Sequence, residues 1–318
     1  MRVRGKEAKG YRMTSNRLKL IEMGYSIEQI ISQNLNLTNY VNFEPINLEN
    51  KTGMIVPEQQ ENSLSDDEII ENQIKYFQSM EKTALGVALG DAKAMIISGS
   101  AGIGKSHGIE QILSNLKDSE TNHEWVTGHC TATGLYQTLY NFRFERCTII
   151  FDDSDKIFYD ETSLGILKHA LDTKKTRRIS WRSKTELRDD AGEIIPTSFD
   201  FEGSIIFISN INLSAIVSQN NKLSPHVEAI ISRILYYDMH KLFKSPRDYM
   251  LRISYLKDSI FNEQKINNEG QELIMNFFNG NSNNMRELSL RVLTKLCQVY
   301  KIHGKDSFAY NAKIATMK

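Results

Sequence analysis

Apolar residues fall at helical spacing in the first part of the chain and in short continuous runs after Ala94. Residues 14–34 predict two short amphipathic helices. Leu18, Leu20, Ile21 and Met23 mark the first, and Gly24-Tyr25 breaks it. Ser26, with Gln29 three residues on, caps a second helix whose stripe is Ile27, Ile30 and Ile31. Such helices either dock a partner or pack on the main core. Residues 1–13 are basic and polar. Residues 35–64 are rich in Asn, Gln and Glu, carry Pro45 and Pro57, and read as a linker. Ser65-Asp66-Asp67-Glu68 is a capping box that opens a helix to about residue 87. Strands then alternate with helices. The strands are expected at Met95-Ile96-Ile97, Trp125-Val126-Thr127, Cys147-Thr148-Ile149-Ile150-Phe151 and Ser204-Ile205-Ile206-Phe207-Ile208-Ser209. Between them lie helices to about residue 117, from Leu135 to Tyr140 and over roughly 161–173. This alternation predicts an α/β fold, a parallel sheet covered by helices in three αβα layers. Beyond residue 245 only helical patterns remain, as in Leu288 to Val299.

Composition narrows the class only a little. The 318 residues include 39 Lys+Arg and 39 Asp+Glu, so the formal net charge is zero and any basic binding surface must be local. Cys130, Cys147 and Cys297 are too far apart in sequence for a metal knuckle or a disulfide framework. No run of 18 apolar residues predicts a membrane span, and the basic start lacks the apolar core of a signal peptide. The expected location is the cytoplasm.

The chemistry begins at Gly99-Ser100-Ala101-Gly102-Ile103-Gly104-Lys105-Ser106, a G-x-x-x-x-G-K-S pattern between a strand and a helix. Phosphate oxygens need many donors in a small space. Backbone N–H groups supply them where no Cβ blocks the approach, and the positive end of the following helix adds to the attraction. Lys105 is expected to reach the β- and γ-phosphates and the Ser106 hydroxyl to ligate Mg²⁺.

The third strand ends in Asp152-Asp153. Asp152, at the end of a buried strand, suits the metal. Asp153 beside it suits the proton or orientation of an attacking water; alternatively, Asp153 and Asp155 cap the next helix. The fourth strand ends in Ser209-Asn210, and a strand placed between the loop and acid strands would carry the Asn210 amide to the γ-phosphate. Between residues 173 and 204, Arg178-Ile179-Ser180-Trp181-Arg182 alternates like a strand. Asp189-Asp190-Ala191-Gly192 is a turn, and Glu193 to Phe201 returns with Pro196 as an edge marker. Lys174, Lys175, Arg177, Arg178, Arg182 and Lys184 crowd this hairpin around Trp181.

Over residues 66–300 this set resembles the AAA+ superfamily of ring-forming ATPases. The loop stands as Walker A, Ile149-Ile150-Phe151-Asp152-Asp153 as Walker B and Asn210 as sensor 1. Ala229-Ile230-Ile231-Ser232-Arg233 resembles the family's arginine finger, which reaches a neighbour's ATP. Asn284-Met285-Arg286-Glu287-Leu288 resembles the sensor 2 start of a lid helix, with Arg286 in competition with Arg291. The second Walker B acid is Asp where Glu is usual. The insertion resembles the pre-sensor 1 hairpin, which in helicases grips nucleic acid. That implies contact through Arg178, Trp181, Arg182 and Lys184, or else an ordinary subunit interface. Two stretches, Asp152-Asp153-Ser154-Asp155 with Leu167-Lys168-His169-Ala170-Leu171-Asp172, and residues 199–210, also resemble ATPases of large tailed phages.

The resemblance implies an ATP- and Mg²⁺-dependent ATPase in a homo-oligomeric ring, a hexamer first, in a host cytoplasm if the source is viral. Residues 1–64 form an arm, helical hairpin and linker; 65–244 the αβα core with an insertion at about 176–202; 245–318 a helical lid. The first expected task is that of a DNA motor, helicase or loader on single-stranded or duplex DNA. The alternatives are a protein-remodelling ATPase docking a client through the N-terminal helices, and a nucleotide-bound scaffold that hydrolyses little.

Overall fold

The computed structural model describes residues 64–116, 122–182, 186–189 and 192–318. The N-terminal helices and linker expected up to residue 63 lie outside the described residues, as does Lys184.

Helix α1 (Asp66–Ala88) starts at the expected capping box, with Ser65 and Glu68 each holding the other's backbone N–H. Phe77, Met80, Ala84 and Val87 recur at helical spacing, and this buried stripe lies against the sheet. The chain then runs through β1 (Ala94–Ser98), α2 (Lys105–Ser114), β2 (Asn122–Thr127), α3 (Ala132–Asn141), β3 (Cys147–Asp152) and α4 (Glu161–Ala170). After the short strands β4 (Arg178–Ser180) and β5 (Ser198–Asp200) come β6 (Ser204–Ser209), α5 (Leu213–Ser218), α6 (Ser224–Ile231) and β7 (Leu235–Asp238). Helices α7 (Pro246–Glu263), α8 (Asn268–Asn281) and α9 (Leu290–Thr316) close the chain, with a break inside α9 at Gly304.

Five strands form one parallel sheet in the order β2-β3-β6-β1-β7. The continuous apolar runs of β1, β3 and β6 are explained by burial on both faces. Ile96, Ile149, Phe151, Ile205 and Phe207 face a core built with α3, α4 and α6. Met95, Ile97, Ile150, Ile206 and Ile208 face the other way, toward α1 and α2. Phe151 and Phe207 stack across neighbouring strands with ring centroids 5.3 Å apart. Each such fully buried side chain contributes about 1.5–3 kcal/mol of transfer free energy. Helices α7–α9 enclose a separate cluster that includes Ile253, Phe261, Ile274, Phe278, Leu296 and Phe308.

Two elements differ from the sequence expectation. Strand β7 pairs with β1 from Met95↔Leu235 to Ser98↔Asp238. It has only four residues, and Leu235 is 46% exposed, so no apolar run announces it. The hairpin insertion is short: three residues pair on each side, with one further bridge at Arg188↔Ile194. Ile179, Ile195 and Phe199 are buried in the core under α3 and α4, which fastens the hairpin to the body.

Candidate functional site

Parallel strands in this order bring the ends of β1, β3 and β6 together along one edge, with β6 between the other two. Residues 99–106 leave the end of β1 and turn into α2. Gly104 is the N-cap of that helix with φ 100°, a left-handed value that a side chain rarely adopts. At Gly102 (φ 73°) a Cβ would come within 2.7 Å of the Ser289 Cβ, so glycine permits contact with the start of α9. There the Leu290 amide donates to the Gly102 carbonyl at 2.8 Å. Ser100 Oγ and Tyr249 Oη share a hydrogen bond of 2.6 Å, tying the loop to α7 as well.

Lys105 is 5% exposed. Its Nζ donates to the carbonyls of Gly99 (2.6 Å) and Ser100 (2.8 Å) and to Asn210 Oδ1 (2.9 Å). Burial pulls its pKa down to about 8, against the opposing pull of Asp153, Asp152 and Asp155. The Asn210 amide donates to Asp153 Oδ1 at 2.5 Å. Lysine, amide and carboxylate thus form one hydrogen-bonded chain across the three strand ends. Asp153 has φ 53°, outside the ordinary range for a non-glycine residue, and its amide donates to the Ile208 carbonyl at 3.1 Å. Ser209 Oγ donates to Asp155 Oδ1 at 2.6 Å, which fixes the end of β6 just before Asn210.

The Ser106 hydroxyl donates to Asp152 Oδ1 at 3.1 Å. Burial raises the Asp152 carboxyl above its usual value, and the Ser106 bond works the other way. A hydroxyl and a carboxylate oxygen side by side suit a hard cation such as Mg²⁺, which keeps most of its waters.

A cavity of about 630 Å³ opens over this group, within the range of small-ligand sites. It is bounded by Gly104, Lys105, Asp153 and Asn210 on one side and by Arg252 of α7 and Arg291 of α9 on the other.

No family model matches the chain. A protein of Enterobacteria phage T4, described as an uncharacterized 36.7 kDa protein of the nrdC-mobD intergenic region, is 30% identical over 220 residues. The matched stretch is 68% of this chain and 66% of that one, a little under two thirds of the relative. Among solved structures, domain III of the replication initiation protein DnaA from Thermotoga maritima aligns over 75% of this chain and 90% of its own. Its TM-score is 0.44 at 13% identity. A RuvB variant from the same organism aligns over 77% and 69%, with a TM-score of 0.42 at 12% identity. The chain's own strand order and loop carry the assignment: the amide strand lies between the phosphate-loop strand and the acid strand. The chain has a three-layer αβα P-loop fold.

The remaining positions expected from the AAA+ resemblance are placed as follows. Arg233 follows α6, on the connection to β7, and a side-chain hydrogen bond to the Ala229 carbonyl holds it there. It does not line its own chain's cavity. Arg286 does not reach the cavity either, contrary to the sensor 2 expectation. Its amide donates to the Thr316 carbonyl at 2.9 Å and its side chain to the Ile314 carbonyl at 3.4 Å. The bridge Met285↔Met317 pins this segment to the last turn of α9. Arg291, the competitor, lines the cavity and acts electrostatically on both Lys105 and Asp152.

In the hairpin, Trp181 does not stand out as a stacking platform. It is half-buried, its ring 6.0 Å from that of Tyr136, and its Nε1 is buried without a partner. Trp181 follows the buried Ile179 by two residues, so strand alternation itself turns it inward. Arg177 is structural: it is 5% exposed, donates to the Ala170 and Gly203 carbonyls and lies over the Phe201 ring. Arg178 and Arg182 remain exposed, and Arg178 donates to Ser198 Oγ at 3.2 Å. Sequence reasoning missed Tyr249 and Arg252, which sit on a helix with no motif of its own. Among the described residues, no helix is long and apolar enough to cross a membrane.

Proposed function

We propose that this chain is an Mg²⁺-dependent ATPase that works in a ring on DNA. The observation that carries the reading is the chain Lys105–Asn210–Asp153, set beside the Ser106–Asp152 pair and open to one cavity. Lys105 and the amides of the loop hold the β- and γ-phosphates. Asn210 positions the attacking water against the γ-phosphate, and Asp153 takes its proton. Ser106 and Asp152 would hold Mg²⁺, which would supply positive charge to the phosphate oxygens when bound. Arg291 supplies a guanidinium to the γ-phosphate from within the chain. Arg233 supplies a second one to the site of the neighbouring subunit, where charge spreads over the transferring group. Residues 245–318 then act as a lid, because α7 and α9 supply the far wall of the cavity.

Arg291→Ala is expected to lower kcat at least about 10-fold, the loss of one charge-assisted contact. Arg286→Ala is expected to leave kcat unchanged, since its bonds run to the end of α9. Steady-state phosphate release on the two variants decides between them.

The exposed Arg178 and Arg182 are the hairpin's phosphate contacts in the DNA reading. The inward packing of Trp181 favours a second reading, a protein-remodelling ATPase, because it takes away the base-stacking group. One experiment separates them: ATPase rate with single-stranded DNA, duplex DNA or no addition, over a range of salt. The DNA reading expects stimulation that fades as salt rises and is lost in the double variant Arg178→Glu with Arg182→Glu. A rate indifferent to every nucleic acid leaves the remodelling reading in place.

A further inference from the structure

Arg252 projects from the second turn of α7 and is 8% exposed. Its guanidinium carbon sits 3.6 Å from the centroid of the Phe77 ring. Nε is buried without a partner, and among the described residues no hydrogen bond or ion pair reaches any of the guanidinium nitrogens. Nη2 lies 3.9 Å from where a Cβ on Gly104 would stand, beside the start of α2. The residue lines the same cavity as Lys105 and Asp153.

Of the five guanidinium donors, the Nε–H is buried without a partner, a cost that one aromatic face does not offset, while the residue lines the cavity. The nearby acid is Glu81 on α1, which attracts Arg252 electrostatically without forming an ion pair. Burial raises the Glu81 carboxyl above its usual range. The arrangement makes sense if the missing acceptors arrive with the ligand. An anion on the amides at the N-terminus of α2 would bring oxygens to the side of the loop that Nη2 faces.

We infer that Arg252 is a nucleotide-binding residue, a cation held in place by Phe77 for a phosphoryl oxygen of the nucleotide bound at residues 99–106. The inference rests on the nucleotide reading of that loop. It adds a contact from α7 that the motifs of the chain do not announce. Phe77 fixes the plane of the guanidinium, and the loop fixes the phosphate.

The test uses the full chain as wild type, Arg252→Met and Lys105→Ala. Thermal midpoints are read without ligand and with Mg-ATP or Mg-ADP, and affinities for ATP, ADP and adenosine by titration. Arg252→Met is expected to keep the unliganded midpoint or raise it, since an unmet buried charge is removed. It is expected to lose about 10- to 100-fold in affinity for ATP and ADP, with little change for adenosine. Unchanged affinity for ATP and ADP overturns the inference. So does an equal loss for adenosine, which would mean that the residue only shapes the cavity. If the wild type shows no nucleotide shift at all, matching Lys105→Ala, the nucleotide reading itself fails. Should Arg252→Met not fold, the arginine Nε–H resonance absent from Arg252→Lys is followed in wild type. It is expected to move on adding Mg-ADP, and a fixed resonance overturns the inference.

Discussion

Lys105→Ala is expected to abolish measurable nucleotide binding. The side chain reaches across the site, touching two loop carbonyls and the Asn210 amide oxygen. Charge-assisted hydrogen bonds to phosphate are worth about 1.5–3 kcal/mol each. Loss of two or more of them weakens ATP by at least about 100-fold. The same residue gives the site a pH signature. Burial brings the lysine pKa from its ordinary 10.5 down to about 8 in the folded, unliganded protein. Phosphate needs the charged amine, so ATP affinity falls as pH rises through about 8. Unliganded stability moves the other way. Between about 8 and 10.5 the unfolded chain binds more protons at this group than the folded one, so its contribution to stability rises with pH. Lys105→Ala removes both trends. Calorimetric titration and thermal unfolding, each at several pH values, check them.

Asp153→Asn is expected to bind ATP as wild type does and to lose turnover. Asparagine keeps an Oδ1 that can accept from the Asn210 amide, so the geometry across the strand ends survives. What is lost is the basicity needed to take a proton from water. General-base contributions predict a fall in kcat of about 10²- to 10⁴-fold with KM little changed. The positive φ at Asp153 bears on its unusual identity. At this left-handed backbone position the short Asp153 side chain accepts from the Asn210 amide. Single-turnover phosphate release and nucleotide titration on the same preparation separate the two effects.

The parts of this site that were legible in the sequence are local ones. The glycines, Lys105 and Ser106 stand at fixed spacing because each answers to one turn of backbone around phosphate. Asp152, Asp153 and Asn210 were legible because each ends a doubly buried strand, and the strand order confirms that β6 lies between β3 and β1. The α1 capping box was legible for the same local reason. What was not legible depends on packing between distant segments. Strand β7 has four residues and one well-buried member, and it is held by β1 rather than by its own pattern. The sensor-type arginine is decided by how the end of α9 folds back on residues 285 and 286, which carries Arg286 away and leaves Arg291 at the cavity. Trp181 was expected among the basic groups as a stacking aromatic, but it shares the inward face of Ile179 and packs toward Tyr136. Arg252 gave no local signal: its role comes from Phe77, 175 positions earlier, and from the loop beside Gly104.

The most direct test of the account is phosphate release from Mg-ATP by the full chain, measured beside Lys105→Ala and Asp153→Asn over a range of protein concentrations, with and without single-stranded DNA. The account predicts release by wild type alone, with a specific rate that climbs with concentration as Arg233 of one subunit meets the site of the next. Release that is equal in all three proteins, or absent from wild type under every condition, contradicts it.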